Sequence, residues 1–179
     1  EHRPGQPGFA EVLRTINKFG RLCREAGIQL LYHNHDFEFV SFSGMYALDF
    51  LYAAMPEDVL KTEIDVCWVK YAGEDPAAYL RKYAGRAPVV HLKDFVGRKE
   101  GDAAPYGLLG QSETKAAGEV PFEFRPVGYG CQDVSAVAEA GLDAGAKWFV
   151  VEQDASVGRT PLEAAAMSID TLRKIGLKG

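Results

Sequence analysis

The stretch Ile28-Gln-Leu-Leu-Tyr-His-Asn-His35 (28–35) is a short apolar run that breaks abruptly into polar side chains. A parallel strand buried on both faces reads this way, and the polar residues mark the end where it leaves the sheet. The same figure recurs three times. VLKTEID (59–65) runs into Asp65, APVVHLKD (87–94) into His91, and KWFVVEQD (147–154) into Glu152.

Between these runs lie helices. From Phe9 to Ala26, Phe9, Val12, Leu13, Ile16, Phe19 and Cys23 recur at three- and four-residue steps, which predicts one buried stripe, and Gly27 ends it as a left-handed cap. Met45 to Met55, DPAAYLRKYAG (75–85) and VSAVAEAGLDAGAK (134–147) read as the next three. A closing helix carries Leu162, Ala166, Ile169 and Leu172 on one face. Asp75 before Pro76 and Thr160 before Pro161 are capping residues ahead of a proline that needs no N–H at the first helical position, and Glu163 completes a capping box. Strands alternating with helical crossovers pair in parallel. Residues 95–130, polar and glycine-rich, break the rhythm and are expected to be either a long functional loop or a segment disordered at its centre.

Four strands cannot close a barrel, which takes eight strands and about 250 residues. The choice is half a barrel or an open doubly wound sheet. In a barrel the strand ends converge on one rim, bringing His33 or His35, Asp65, His91 and Glu152 together. Imidazole and carboxylate donors without thiolates suit Mn, Co, Mg, Fe or Zn.

Composition narrows the partners. With 179 residues, 47% hydrophobic, 25% charged and a net charge of -5, the chain reads as one globular domain over 1–179. It lacks the basic surface that nucleic acid or anionic membrane requires, so a small-molecule partner is expected. Cys23, Cys67 and Cys131 are too few and too scattered for a disulfide framework, which favours a reducing, cytoplasmic setting. The first residues, EHRPGQPG, read as the interior of a longer chain.

The motifs YHNHDFEF (32–39), EIDVCW (63–68), VVHLKDF (89–95), RPVGYG (125–130) and VVEQD (150–154) resemble those of the sugar phosphate isomerase/epimerase family, the xylose-isomerase-like TIM barrels. The resemblance implies an α/β fold, a (β/α)8 barrel of which this chain carries roughly the last four strand-helix units. It implies metal ligands Asp65, His91 and Glu152, with His33 standing where the family usually has a Glu. It also implies an isomerase or epimerase of a small sugar or polyol that moves a proton next to a carbonyl through an enediolate, with Glu152 as one base and His35, His33 or Glu38 as the other. A His base near its ordinary pKa of about 6.5 suits neutral pH. The lost carboxylate keeps two alternatives open, a metal-dependent lyase or dehydratase on a keto-sugar, 3-keto-glycoside or inosose, and a catalytically silent sugar-binding or assembly module.

Other residues are candidates for substrate contact. Trp68 stands where several relatives have a substrate-binding His and offers a stacking face, with core packing as the alternative. Lys93 shares strand parity with His91 and could reach a sugar oxygen or phosphate. Arg125, before Gly128 and Gly130, could bind an anion. Glu63 shares parity with Asp65 and is expected inside the barrel, paired with a Lys. Asp36, Glu38, Asp94 and Asp154 are candidates to orient the imidazoles. Half a barrel also leaves two sheet edges and an apolar interior uncovered, an arrangement prone to self-association into a homo-oligomer.

Overall fold

Four short parallel strands carry the molecule. The computed structural model describes residues 3, 5–97 and 121–177. The strands are β1 (Leu31–His33), β4 (Lys61–Asp65), β5 (Val89–Leu92) and β8 (Trp148–Val151), hydrogen-bonded in the order β1-β4-β5-β8. Every pairing is parallel, and each strand joins on the same side of its predecessor. A doubly wound sheet would reverse direction at a switch point, whereas this one does not. The winding is that of a barrel, and β1 and β8 are left as edges.

Between β1 and β4 come a hairpin of β2 (Ser41–Phe42) and β3 (Met45–Tyr46), then α2 (Ala47–Ala53). The helix expected from Met45 therefore starts two residues late. Ser43 and Gly44 both have positive φ, 52° and 84°, which is the backbone of a two-residue hairpin turn. α3 (Val66–Tyr71) and α4 (Pro76–Lys82) link β4 to β5. α5 (Val134–Asp143) precedes β8, and α6 (Pro161–Lys174) follows it. The predicted caps form: Asp75 accepts from Ala77 N, and Thr160 and Glu163 make the reciprocal box.

Strand parity sorts the side chains. Ile64, Val90 and Leu92 are buried in a core with Leu48 and Tyr52 of α2, Leu80 of α4 and Val137 and Ala140 of α5. Each Leu, Ile or Val among them contributes about 1.5–3 kcal/mol by leaving water. On the opposite parity Val89 is half-buried, Val150 is 40% exposed and Trp148 69% exposed. The strands are thus covered on one face only, because helices back the convex side and no described element fills the concave one.

The two end helices differ from their stripes for the same reason. In α1 (Phe9–Glu25), Phe9 is buried and Leu13 and Ile16 join the core, but Phe19 is exposed, and Gly20 is the residue that meets Val59. On α6, Leu162 and Ile169 are exposed, while Ala164 and Ser168 are buried and Ser168 Oγ accepts from Val127 N. Phe149, Val151, Ile169 and Leu172 line an open groove of about 420 Å³ beside the β8 edge.

The expected 95–130 loop has structured flanks. β6 (Asp94–Val96) and β7 (Glu123–Arg125) pair antiparallel, Asp94 opposite Arg125 and Val96 opposite Glu123. Its middle, 98–120, lies outside the described residues.

Candidate metal centre

β1, β4 and β5 are in register at His33↔Glu63 and Asp65↔His91, so strand ends distant in sequence stand side by side. His33, Asp65, His91 and Glu152 each offer one donor atom, all within 4.8 Å of one another. His35 and Glu38, the alternatives to His33, are not in that group. No other cluster of three or more such donors occurs among the described residues.

Asp65 is fixed more tightly than a strand end requires. As N-cap of α3, its Oδ1 accepts from Cys67 N at 2.8 Å and Trp68 N at 3.4 Å, while Oδ2 lies 3.1 Å from His33 Nε2. Buried Asn34 clamps its backbone, with Oδ1 accepting from Asp65 N at 2.9 Å and Nδ2 donating to Asp65 O at 3.3 Å. The sequence reading passed over Asn34, although an amide between two candidate ligands was a signal.

His91 sits between two carboxylates. Nδ1 is 2.8 Å from Glu152 Oε2, and Nε2 is 2.7 Å from Glu63 Oε1. Glu63 thus meets a His rather than the expected Lys. His91 Nδ1 and Glu152 Oε2 are both buried and, despite their closeness, not in hydrogen-bond geometry. Two imidazoles and two carboxylates whose donor atoms lie within 4.8 Å of one another are a donor set that fits a divalent ion. Burial opposes a charge on His91, but Glu152, Glu63 and Asp65 outweigh it and raise its pKa. Contact with His91, against burial and aided by Lys93, holds Glu152 well below the usual carboxylate range.

Lys93 is 3% exposed, with Nζ 2.8 Å from Asp154 Oδ2 and 3.3 Å from Glu152 Oε1 and over the rings of Trp68 and Phe124. It is held between Asp154 and Glu152. Trp68 is 1% exposed and packs with Tyr71, Phe122 and Phe124, so the core alternative describes it and no stacking face is open. Arg125 pairs with Glu123 at 3.1 Å.

Near β1, the His33 and His35 rings stack at 5.0 Å, and His35 stacks on Phe37 at 5.5 Å. Burial, then the neighbouring charges of His33 and Lys93, lower the His35 pKa to about 4, so the imidazole is neutral at pH 7 rather than poised near 6.5. Glu38 is 2% exposed, and its oxygens accept from Tyr32 OH at 2.6 Å and His35 N at 2.9 Å. Burial raises its pKa. It ties its own loop together. Of the other acids, Asp94 accepts from Gly128, Gly130 and Gln132 N, Asp154 holds Lys93, and Asp36 is buried in the β1 loop. The carboxylates found against the imidazoles of His33 and His91 are Asp65, Glu63 and Glu152.

No helix among the described residues is long and apolar enough to cross a membrane. No curated protein matches the chain. Solved structures do. A sugar phosphate isomerase/epimerase from Parabacteroides distasonis superposes with a TM-score of 0.68 at 22% identity, over 90% of this chain and 50% of that one. A xylose isomerase domain protein from Planctomyces limnophilus gives 0.64 at 17% identity, over 95% and 52%. An L-ribulose 3-epimerase gives 0.61 at 14% identity, over 97% and 55%. The chain spans about half the length of these structures. The family profile described as xylose isomerase-like TIM barrel matches residues 2–175, and the chain belongs to that family.

Proposed function

We propose that residues 1–179 form a single partial-barrel unit carrying the metal site of a divalent-metal-dependent isomerase or epimerase of a small sugar or sugar derivative. The observation behind this reading is the convergence of His33, Asp65, His91 and Glu152, whose donor atoms lie within 4.8 Å of one another. The donor chemistry suits Mn, Co, Mg, Fe or Zn. A bound divalent ion supplies Lewis-acid stabilisation of negative charge on substrate oxygens. Glu152 is one base: it stays ionised and Lys93 fixes one of its oxygens. In an isomerase it takes the proton next to the substrate carbonyl and delivers it to the adjacent enediolate carbon, whereas in an epimerase a second base, His35, His33 or Glu38, supplies the proton on the opposite face.

A lyase or dehydratase acting on a keto-sugar, 3-keto-glycoside or inosose is the second reading. One observation favours it: Glu38 is engaged within its loop by Tyr32 OH and His35 N, which holds it back from serving as a second base opposite Glu152. One-sided proton abstraction with loss of a leaving group needs no second base.

The reaction class is read by incubating the metal-loaded chain with free ketoses and 3-keto-glucosides in D2O, followed by mass spectrometry. Deuterium uptake at carbon without change of composition supports the isomerase, and loss of the leaving group selects the lyase. Sugar binding without either change would leave a silent binding module and overturn both. We propose a small sugar as partner and self-association through the uncovered β8 edge, where Trp148 and Ile169 are exposed. A cytoplasmic setting accords with three free cysteines.

A further inference from the structure

Glu63 has no part in the donor group, yet its carboxylate is 2.7 Å from the one His91 nitrogen that points away from Glu152. The register explains how. Asp65 stands opposite His91, so Glu63 lies one pleat below the imidazole; Val150 also stands opposite His91, so Glu152 lies one pleat above. The ring spans the two, Nε2 downward and Nδ1 upward. Both contacts are substantially sheltered, with the His91 side chain 13% and that of Glu63 22% exposed.

We propose that Glu63 is the positioning residue of the centre, accepting a hydrogen bond from Nε2–H of His91 so that the Nδ1 lone pair is left free for a divalent ion. The inference rests on the metal reading above and adds the residue that selects the ligating nitrogen. A neutral imidazole carries one proton and has one nitrogen free to ligate; an anionic acceptor at Nε2 keeps the proton there and makes Nδ1 the better donor. Asp65, across from His91 on the neighbouring strand, is held instead by the α3 N-terminus and His33.

The test is Mn2+ titration calorimetry of the full chain and of Glu63→Gln and Glu63→Asp, with urea unfolding to verify that each is folded. The second variant keeps the charge but draws it back by one methylene. A Glu63→Gln affinity weakened about 10- to 100-fold at unchanged stoichiometry, with Glu63→Asp in between, is expected. In long-range proton–nitrogen NMR of the Zn2+-loaded chain, His91 should show a protonated Nε2 that loses its slow exchange in Glu63→Gln, a change that mere loss of packing does not produce. If the unaltered chain binds no divalent ion, the underlying metal reading fails. If it binds and both variants match it within twofold with the same His91 signature, this inference alone is overturned.

Discussion

Replacing Lys93 by Met separates a buried strut from a substrate-binding lysine. Nζ lies 2.8 Å from Asp154 and 3.3 Å from Glu152. At an effective dielectric of about 20, these contacts are attractive by about 6 and 5 kcal/mol. Desolvating an ammonium costs several kcal/mol, so the intact cluster is near balance. Met retains the stem and its packing on Trp68 and Phe124 but leaves two carboxylates facing each other without a cation. Breaking one side of a buried pair costs about 3–5 kcal/mol. The Glu152 and Asp154 side chains are 34% and 24% exposed, and water at that exposure recovers part of the charge, which lowers the expectation to about 2–3 kcal/mol at pH 7. Equilibrium urea unfolding reads this as a lower midpoint at unchanged slope. Adding Asp154→Asn to Lys93→Met should regain about 1 kcal/mol by removing one uncompensated charge. A Lys93→Met protein within about 0.5 kcal/mol of the original, as for an ordinary surface substitution, would refute the strut.

Asp49 links α2 to α4 by accepting from Tyr79 OH, Tyr83 OH and Lys82 Nζ. Burial raises its pKa, but bonds from Lys82, Tyr83 and Tyr79 more than offset that and leave it lowered. Its contribution is therefore present above the unfolded carboxyl pKa of about 3.9 and lost as pH falls through the lower folded value. Asp49→Asn should cost about 1–2 kcal/mol at pH 7 and progressively less below pH 4 in urea unfolding; a gap independent of pH would contradict this. Gly20→Ala would put a Cβ 2.5 Å from Val59 O and 2.6 Å from its Cγ1. Against a helix-propensity gain of about 1 kcal/mol, the overlap should leave a net loss of about 1–2 kcal/mol in thermal unfolding, and a stabilised variant would show that α1 does not press on Val59 in solution.

The strand-end donors were legible because each strand is apolar up to the residue where it leaves the sheet, and the winding of four parallel strands brings those ends together whatever the loop details. The caps at Asp75 and Thr160 were legible for a local reason, since a cap, its proline and its acceptor lie within four residues. Contacts set by register were not. Strand parity turns Glu63 toward the concave side, but its meeting with His91 depends on Glu63 standing one pleat below the Asp65↔His91 pair. Lys93 shares the parity of His91, yet its partners Glu152 and Asp154 come from the segment just after β8, some sixty residues later. Trp68 belongs to a one-and-a-half-turn helix that turns it into an aromatic cluster, which position relative to Asp65 does not reveal. Phe19 and Ile169 mark the limit of periodicity, which identifies an apolar face but not whether anything covers it.

Divalent-ion stoichiometry most directly tests whether the four strand ends form one centre. Titration of Mn2+ into the full chain, followed by calorimetry, should show one ion per chain, with binding weakened at least about 100-fold by Asp65→Ala and by Glu152→Ala while both variants keep their helical circular dichroism. No binding by the unaltered chain, or equal binding by both variants, would contradict it.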